Sequence, residues 1–142
     1  MFFLSIVSCA SSEDSSSTGT ETTSSNEDTS TSETTASSSD ENFIAVGSSG
    51  TIISSPDGIT WTSRNSGTTD YLSGSAYGNS TFVVVGNNGT ILTSSDGTTW
   101  TSRTSGTSYD LRGVTYANST FVVMGDNGTI LTSSDGTTWT SR

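Results

Sequence analysis

The sequence predicts an all-β fold in which about three four-stranded antiparallel units follow a disordered N-terminal tail. Two observations carry the repeat. The stretch 81–103 (TFVVVGNNGTILTSSDGTTWTSR) returns as 120–142 with only two changes, Val85 to Met124 and Asn87 to Asp126. A more diverged copy at 42–64 matches 81–103 at 14 of 23 positions, and Trp61, Trp100 and Trp139 mark the same constant spacing. A third observation sets the tail apart: residues 11–40 contain 20 Ser or Thr, and Ala36 is the most hydrophobic side chain among them. Self-similarity at this spacing belongs to stacked or radial repeats, in which no unit buries its apolar face alone.

The first nine residues form the first segment. Met1 to Val7 (MFFLSIV) is apolar and is followed by Ser8 and Cys9, the only cysteine of the chain. Ile6-Val7-Ser8-Cys9 resembles the lipobox that ends a bacterial lipoprotein signal. The resemblance implies that the Cys9 thiol receives a diacylglyceryl group and that cleavage makes Cys9 the new N-terminus. A lone cysteine has no internal disulfide partner, which suits that role. The expected address is therefore secreted and lipid-anchored, at the outer membrane or cell surface of a bacterium. Ala10 stands where an Asp would argue for inner-membrane retention.

Residues 10–41 form the second segment. They cannot bury enough apolar area to offset the entropy of ordering, so a disordered linker is expected. Eight of the 14 acids (Glu13, Asp14, Glu21, Glu27, Asp28, Glu33, Asp40, Glu41) lie before residue 42, where there is no base. Their mutual repulsion extends the segment, as a tether between lipid and folded region requires. The formal net charge of -10 is thus mostly a property of the tail.

Residues 42–142 hold the repeats, divided as 42–71, 72–110 and 111–142. In the last unit the first strand is expected over Leu111 to Tyr116, turned by Ala117-Asn118-Ser119. The second, Thr120 to Met124, turns at Gly125-Asp126-Asn127-Gly128. The third, Thr129 to Ser133, meets Asp135-Gly136, a signal for a type I′ hairpin. The fourth, Thr137 to Ser141, carries Trp139. Gly47, Gly86 and Gly125, with Gly50, Gly89 and Gly128, bracket the second turn, where positive φ is easy for Gly. In Phe82-Val83-Val84-Val85 both alternating faces are apolar, so this strand is expected to be covered on both sides. Four antiparallel strands per ~40 residues is the content of a β-propeller blade, and three such units make a partial propeller.

Ser55-Pro56-Asp57-Gly58-Ile59-Thr60-Trp61, Ser94-Ser95-Asp96-Gly97-Thr98-Thr99-Trp100 and Ser133-Ser134-Asp135-Gly136-Thr137-Thr138-Trp139 resemble the Asp-box, or BNR, repeat. That family includes sialidase-type propellers, sortilin-like receptors and photosystem assembly factors with similar blades. The resemblance covers 42–142. It implies a hairpin between the third and fourth strands, with Asp57, Asp96 and Asp135 bonding turn amides. Trp61, Trp100 and Trp139 would then pack into the blades. Here Asp and Gly are adjacent (Asp57-Gly58, Asp96-Gly97, Asp135-Gly136), whereas the common form has one residue between them.

Composition narrows function. The repeats contain no Lys and no His, which removes the usual general bases and most transition-metal sites, so neither a metal nor a cofactor is expected. Four Arg without a basic stripe argue against nucleic acid. A sialidase needs an arginine triad, yet Arg64, Arg103 and Arg142 share one repeat position and Arg112 alone is unique. No catalytic residue is assigned. Asp70, Tyr71, Tyr109, Asp110 and Arg112 fall near the start of first strands and are the candidate ligand-facing residues. The expected function is a non-catalytic, surface-anchored module or scaffold that binds a protein or glycan. The alternative is a fragment of a secreted sialidase-like or other carbohydrate-active propeller.

Counting from Asn42, the repeats supply 11 strands, because the first unit starts at its second strand. Propellers close with ~4–8 blades, so an array of three leaves two faces open. Further blades are the first expectation for covering them; self-association that completes the ring is the second.

Overall fold

Short runs of Thr, Val, Ile and Leu, each stopped by Gly, Asn or Ser, form three four-stranded antiparallel sheets. In the computed structural model, which describes Ser5–Ile6 and residues 42–142, each sheet is one repeat. Blade 1 holds β1 (Ser5–Ile6), β2 (Phe43–Val46), β3 (Ile52–Ser55) and β4 (Thr62–Arg64). Blade 2 holds β5 (Leu72–Gly78), β6 (Thr81–Gly86), β7 (Ile91–Ser94) and β8 (Thr101–Arg103). Blade 3 holds β9 (Leu111–Ala117), β10 (Thr120–Gly125), β11 (Ile130–Ser133) and β12 (Thr140–Ser141). Within each sheet the strands follow chain order, as consecutive hairpins dictate.

The 11 strands expected from Asn42 onward are β2 to β12, and β1 adds a twelfth from outside the repeats. Ser5 pairs with Val46 and Ile6 with Ala45, which gives blade 1 a strand where β5 and β9 stand in the other blades. No signal in the composition separates those two residues from the rest of the apolar N-terminus. Cys9 and the linker 10–41 lie outside the described residues.

The turns obey residue chemistry, though not always as the sequence suggests. Asn79-Ser80 and Asn118-Ser119 have φ of 47° and 53°, and 49° and 56°. Two left-handed central residues between paired strands are what a type I′ hairpin requires, so this turn lies between first and second strands. The type I′ turn expected at Asp135-Gly136 is a correction: there Gly136 is left-handed and Asp135 is not. The reason is the side chain. Asp57 Oδ1 accepts from the amides of Ile59 and Thr60 at 2.8 and 2.7 Å, and from the Ser55 hydroxyl at 2.8 Å. Asp96 and Asp135 repeat this pattern. A carboxylate that organises its own amides holds open a longer loop between strands, wider than a two-residue turn. The fourth strand consequently starts later than expected, at Thr140 in blade 3, and Trp61, Trp100 and Trp139 sit just before it.

A second correction concerns the glycines of the middle connection. Gly50, Gly89 and Gly128 are left-handed, but Gly47, Gly86 and Gly125 are extended. Close approach explains two of the latter. A Cβ on Gly86 would lie 2.3 Å from the Tyr71 carbonyl oxygen, and one on Gly125 2.5 Å from that of Asp110.

The core lies between the blades. Alternate residues of β6 face opposite neighbours: Phe82 and Val84 join Ile44, Val46, Ile52, Leu72 and Leu92 in the layer shared with blade 1. Val83 and Val85 join Ala76, Ile91, Leu111, Phe121, Val123 and Leu131 in the layer shared with blade 3. Val83, Val84 and Val85 are all fully buried, as the sequence predicts. Each such side chain contributes about 1.5–3 kcal/mol by leaving water. Tyr77 packs on Phe82 and Tyr116 on Phe121, with ring centroids 4.4 and 4.6 Å apart. Near the first strands the sheets touch through glycine: a Cβ on Gly74 would sit 3.6 Å from the Gly113 Cα.

Gly89 and Gly128 hold the same place in their blades, yet only Gly89 is covered. A Cβ there would lie 2.0 Å from the Thr107 carbonyl oxygen, whereas one on Gly128 meets nothing within 4 Å. Gly128→Ala is therefore expected to lose only the left-handed backbone penalty, about 1–2 kcal/mol. Gly89→Ala must in addition push the 104–110 linker off blade 2. Thermal melts of the two variants should rank Gly89→Ala clearly lower; equal melting points would show that the linker contact is dispensable.

Candidate functional site

Antiparallel hairpins sort the connections to two ends. One end collects the Asn-Ser turns and the Ser-Asp-Gly loops. The other collects the inter-blade linkers, 65–71 and 104–110, and the three turns Ser48–Gly50, Asn87–Gly89 and Asp126–Gly128. Every candidate ligand-facing residue lies at this second, linker end.

The linkers are clamped to the turns on both sides. The Gly50 amide donates to the Asp70 carbonyl at 2.8 Å, Leu72 to Gly47 at 3.0 Å and Asn87 to Tyr71 at 2.9 Å. At the next joint the Asp126 amide donates to the Asp110 carbonyl at 2.8 Å, and the Asn88 amide to the Asp110 carboxylate at 2.9 Å. Asp70 accepts from Asn88 Nδ2 and from the hydroxyls of Thr90 and Thr68, at 2.8, 2.8 and 3.1 Å. Those bonds, from Asn88 first and then Thr90, hold its carboxyl below the usual carboxylate range. Asp70 and Asp110 thus tie turns to linkers.

Arg112 is placed differently. Its Nε and Nη2 donate to the two carboxylate oxygens of Asp126 at 2.8 and 2.6 Å, and Nη2 also lies 3.2 Å from Asp110. The paired Asp126 raises the Arg112 pKa, and Arg112 in turn lowers that of Asp126. The Arg112 side chain remains 51% exposed. Tyr71 and Tyr109 are 37% and 50% exposed. Between the 88–90 turn and the 102–108 linker runs a shallow open groove lined by Ser, Thr, Asn and Gly with Arg103 at its side. The linker end therefore offers two exposed phenols, a half-exposed arginine and a hydroxyl-rich groove. That inventory can hold a ligand by stacking and hydrogen bonding.

The remaining titratable groups serve the scaffold. Amides of Thr60 and Ile59 lower the Asp57 pKa to about 2; Asp96 is lowered in the same way by Thr99 and Thr98, and Asp135 by the Thr137 hydroxyl and the Thr138 amide. Gly58 and Gly136 receive the Trp61 and Trp139 indole N–H on their carbonyls at 3.2 and 3.1 Å. Gly97 fits against Ile44 of blade 1, with Trp100 packed in the layer shared by blades 1 and 2. Arg64, Arg103 and Arg142 each donate Nε to a hydroxyl of the adjacent strand, Ser54, Thr93 and Thr132, at 2.7–2.9 Å. They lie one per blade and do not converge. Among the described residues no group of three or more His, Cys, Asp or Glu is arranged to hold a metal ion.

Sequence reasoning missed Asn88, Thr90 and Asp126 as members of this cluster. A signal existed. Asp126 replaces Asn87 in one of two changes between near-identical copies, and Arg112 stands where the preceding repeat has Ser73. The two substitutions together create the ion pair of blade 3.

Neither a protein-family model nor a curated protein matches the chain. Among solved structures it is similar to YCF48 bound to D1 peptide, at 18% identity and a TM-score of 0.59, over 70% of this chain and 36% of that one. It is also similar to YCF48 from Cyanidioschyzon merolae, at 21% identity and a TM-score of 0.58, over 70% of this chain and 32% of that one. The likeness establishes the β-propeller fold. The chain spans about a third of the length of these structures.

Asp70→Ala removes the acceptor of three side-chain donors and should cost about 1 kcal/mol or more in a denaturant melt. Arg112→Ala removes an exposed ion pair and should leave the melt nearly unchanged. A melt equally lowered by both would make Arg112 part of the scaffold.

Proposed function

We propose that this chain is a non-catalytic protein-binding propeller module, lipid-anchored through Cys9, whose linker end is the binding face. The observation that carries the proposal is the grouping of Tyr71, Tyr109 and Arg112 at that end. All three are exposed, and in blades 2 and 3 they depart from strict repetition: Asp70-Tyr71 in one linker becomes Tyr109-Asp110 in the next. Tyr and Arg are the residues that dominate binding energy at protein interfaces, because each buries a large apolar plane while keeping a polar tip. One of the similar solved structures is bound to a peptide, which supports a peptide as the ligand class.

The Ser-Asp-Gly loops serve as Asp-box-type scaffold in this reading, and glycan binding is its second form, since phenols stack on sugar rings as well. The carbohydrate-active alternative is disfavoured by the use of the groups it needs. The three Arg of the repeat position are bonded to strand hydroxyls, and the three loop carboxylates are bonded to turn amides. If cleavage precedes Cys9, Ser5–Ile6 leaves with the signal and β2 becomes the terminal strand of blade 1.

A random peptide library selected against the chain, with a glycan array in parallel, tests this reading. Selected peptides should bind wild type and lose about tenfold or more, about 1.4 kcal/mol, to Tyr109→Ala or Arg112→Ala. Peptides that bind both variants as tightly as wild type would move the binding face elsewhere, and glycans alone retained at the same residues would replace the ligand class. Metabolic labelling with a fatty-acid analogue should mark the wild-type chain and not Cys9→Ser; label on both would remove the anchor.

A further inference from the structure

The turn Asn87–Gly89 is held by both inter-blade linkers at a single residue, Asn88. Its side-chain Nδ2 donates to the Asp70 carboxylate at 2.8 Å, and its backbone amide donates to the Asp110 carboxylate at 2.9 Å. Asp70 belongs to the linker that enters blade 2, Asp110 to the linker that leaves it. Residue order explains the convergence. Asp70 precedes Tyr71, whereas Asp110 follows Tyr109, so the two acids hold different places in equivalent linkers. From the earlier place a carboxylate reaches forward to the turn of the blade it enters. From the later place it reaches back to the turn of the blade it leaves.

Asn88 suits both bonds. It has φ 55° and ψ 30°, and Asn is among the few side chains that the left-handed region admits. Its amide group supplies the donor that a carboxylate needs. Asn127 holds the same place in blade 3, but the linker ahead of it carries Tyr109 where Asp70 stands. The bonds continue on either side of Asn88. The Asp70 carbonyl accepts from the Gly50 amide in the turn of blade 1, at 2.8 Å. The Asp110 carbonyl accepts from the Asp126 amide in the turn of blade 3, also at 2.8 Å. One line of polar contacts thus joins the turns of all three blades, and Asn88 is its midpoint.

We infer that Asn88 is a positioning residue that couples the 65–71 and 104–110 linkers, so that the backbones bearing Tyr71 and Tyr109 move as one unit. A disturbance of either linker is felt at the other through the Asn88 side chain. A partner that displaces one linker therefore loosens both. That consequence for a partner rests on the binding reading above; the coupling does not, and it is tested with no partner present.

The test is a double-mutant cycle on the full chain carrying Cys9→Ser, so that neither lipid nor an intermolecular disulfide contributes. Urea unfolding gives equilibrium constants for this reference chain, for Asp70→Ala, for Asp110→Ala and for the pair. The pair should depart from the product of the single effects by about threefold or more, because members of one hydrogen-bonded network do not act independently. Asn88→Gly keeps the left-handed backbone and the amide that Asp110 accepts, and in it the two effects should simply multiply. Asn88→Ser should do the same, since it shortens the side chain and is the residue blade 1 carries at this place, Ser49, with φ 54°.

Exchange of the Gly50 amide gives a local reading. Asp110→Ala should speed it about threefold or more when Asn88 is present, and should leave it unchanged in Asn88→Gly. An Asn88 that only stabilises its own turn would lower the melt in both variants and leave the cycle as it was. Single effects that multiply in the reference chain overturn the inference, as does a Gly50 amide that ignores Asp110→Ala. Coupling that persists in either Asn88 variant overturns it too, by assigning the coupling to blade packing.

Discussion

Mutual coverage of sheet faces is the constraint from which the rest follows. No blade can bury both of its apolar faces, because a four-stranded sheet has two faces and each blade supplies only one layer. Blade 2 satisfies the requirement through its neighbours: Phe82 and Val84 turn to blade 1, Val83 and Val85 to blade 3. The period of two along a strand converts one run of four apolar residues into two separate cores. Everything else, including the glycines at the joints, is a consequence of which neighbour is present.

The joints are also where polar chemistry concentrates. Each linker must cross from the last strand of one blade to the first of the next, and its backbone groups need partners. Asp70 and Asp110 provide them through both carbonyl and carboxylate, which fixes the turns Asn87–Gly89 and Asp126–Gly128 against the linkers. That arrangement leaves Tyr71, Tyr109 and Arg112 standing at the rim of a rigid end. In the proposed reading, a binding face built on clamped loops loses little backbone entropy when a ligand arrives. The same end therefore holds the blades together and presents the residues that vary between them.

Much of this is legible in the residues. The Phe82–Val85 run announces a strand covered on both sides, and Asn79 and Asn118 announce tight turns, because side-chain polarity and left-handed preference act locally. Asp135-Gly136 misleads because adjacency suggests a two-residue hairpin, whereas the Asp135 carboxylate recruits amides two and three residues ahead and widens the loop. Gly86 and Gly125 read as turn residues, but their small size serves linker carbonyls far away in sequence. Ser5–Ile6 as a strand is not legible, since its pairing with Val46 and Ala45 depends on a partner far along the chain. At the candidate site Tyr71, Tyr109 and Arg112 stand out from the residues alone. The bonds to Asn88 and Asp126 do not, because they arise from turns brought over by β6 and β10.

Native-state hydrogen exchange resolved by residue tests the mutual coverage most directly. If blades 1 and 3 shield the two faces of β6, the amides of Val83, Val84 and Val85 should exchange only by an opening whose free energy equals that of unfolding all of 42–142, with amides of β2 and β10 opening at the same cost. Separate, smaller opening energies for the three blades, with β6 amides exchanging while β10 stays protected, would show units that stand alone and would contradict it.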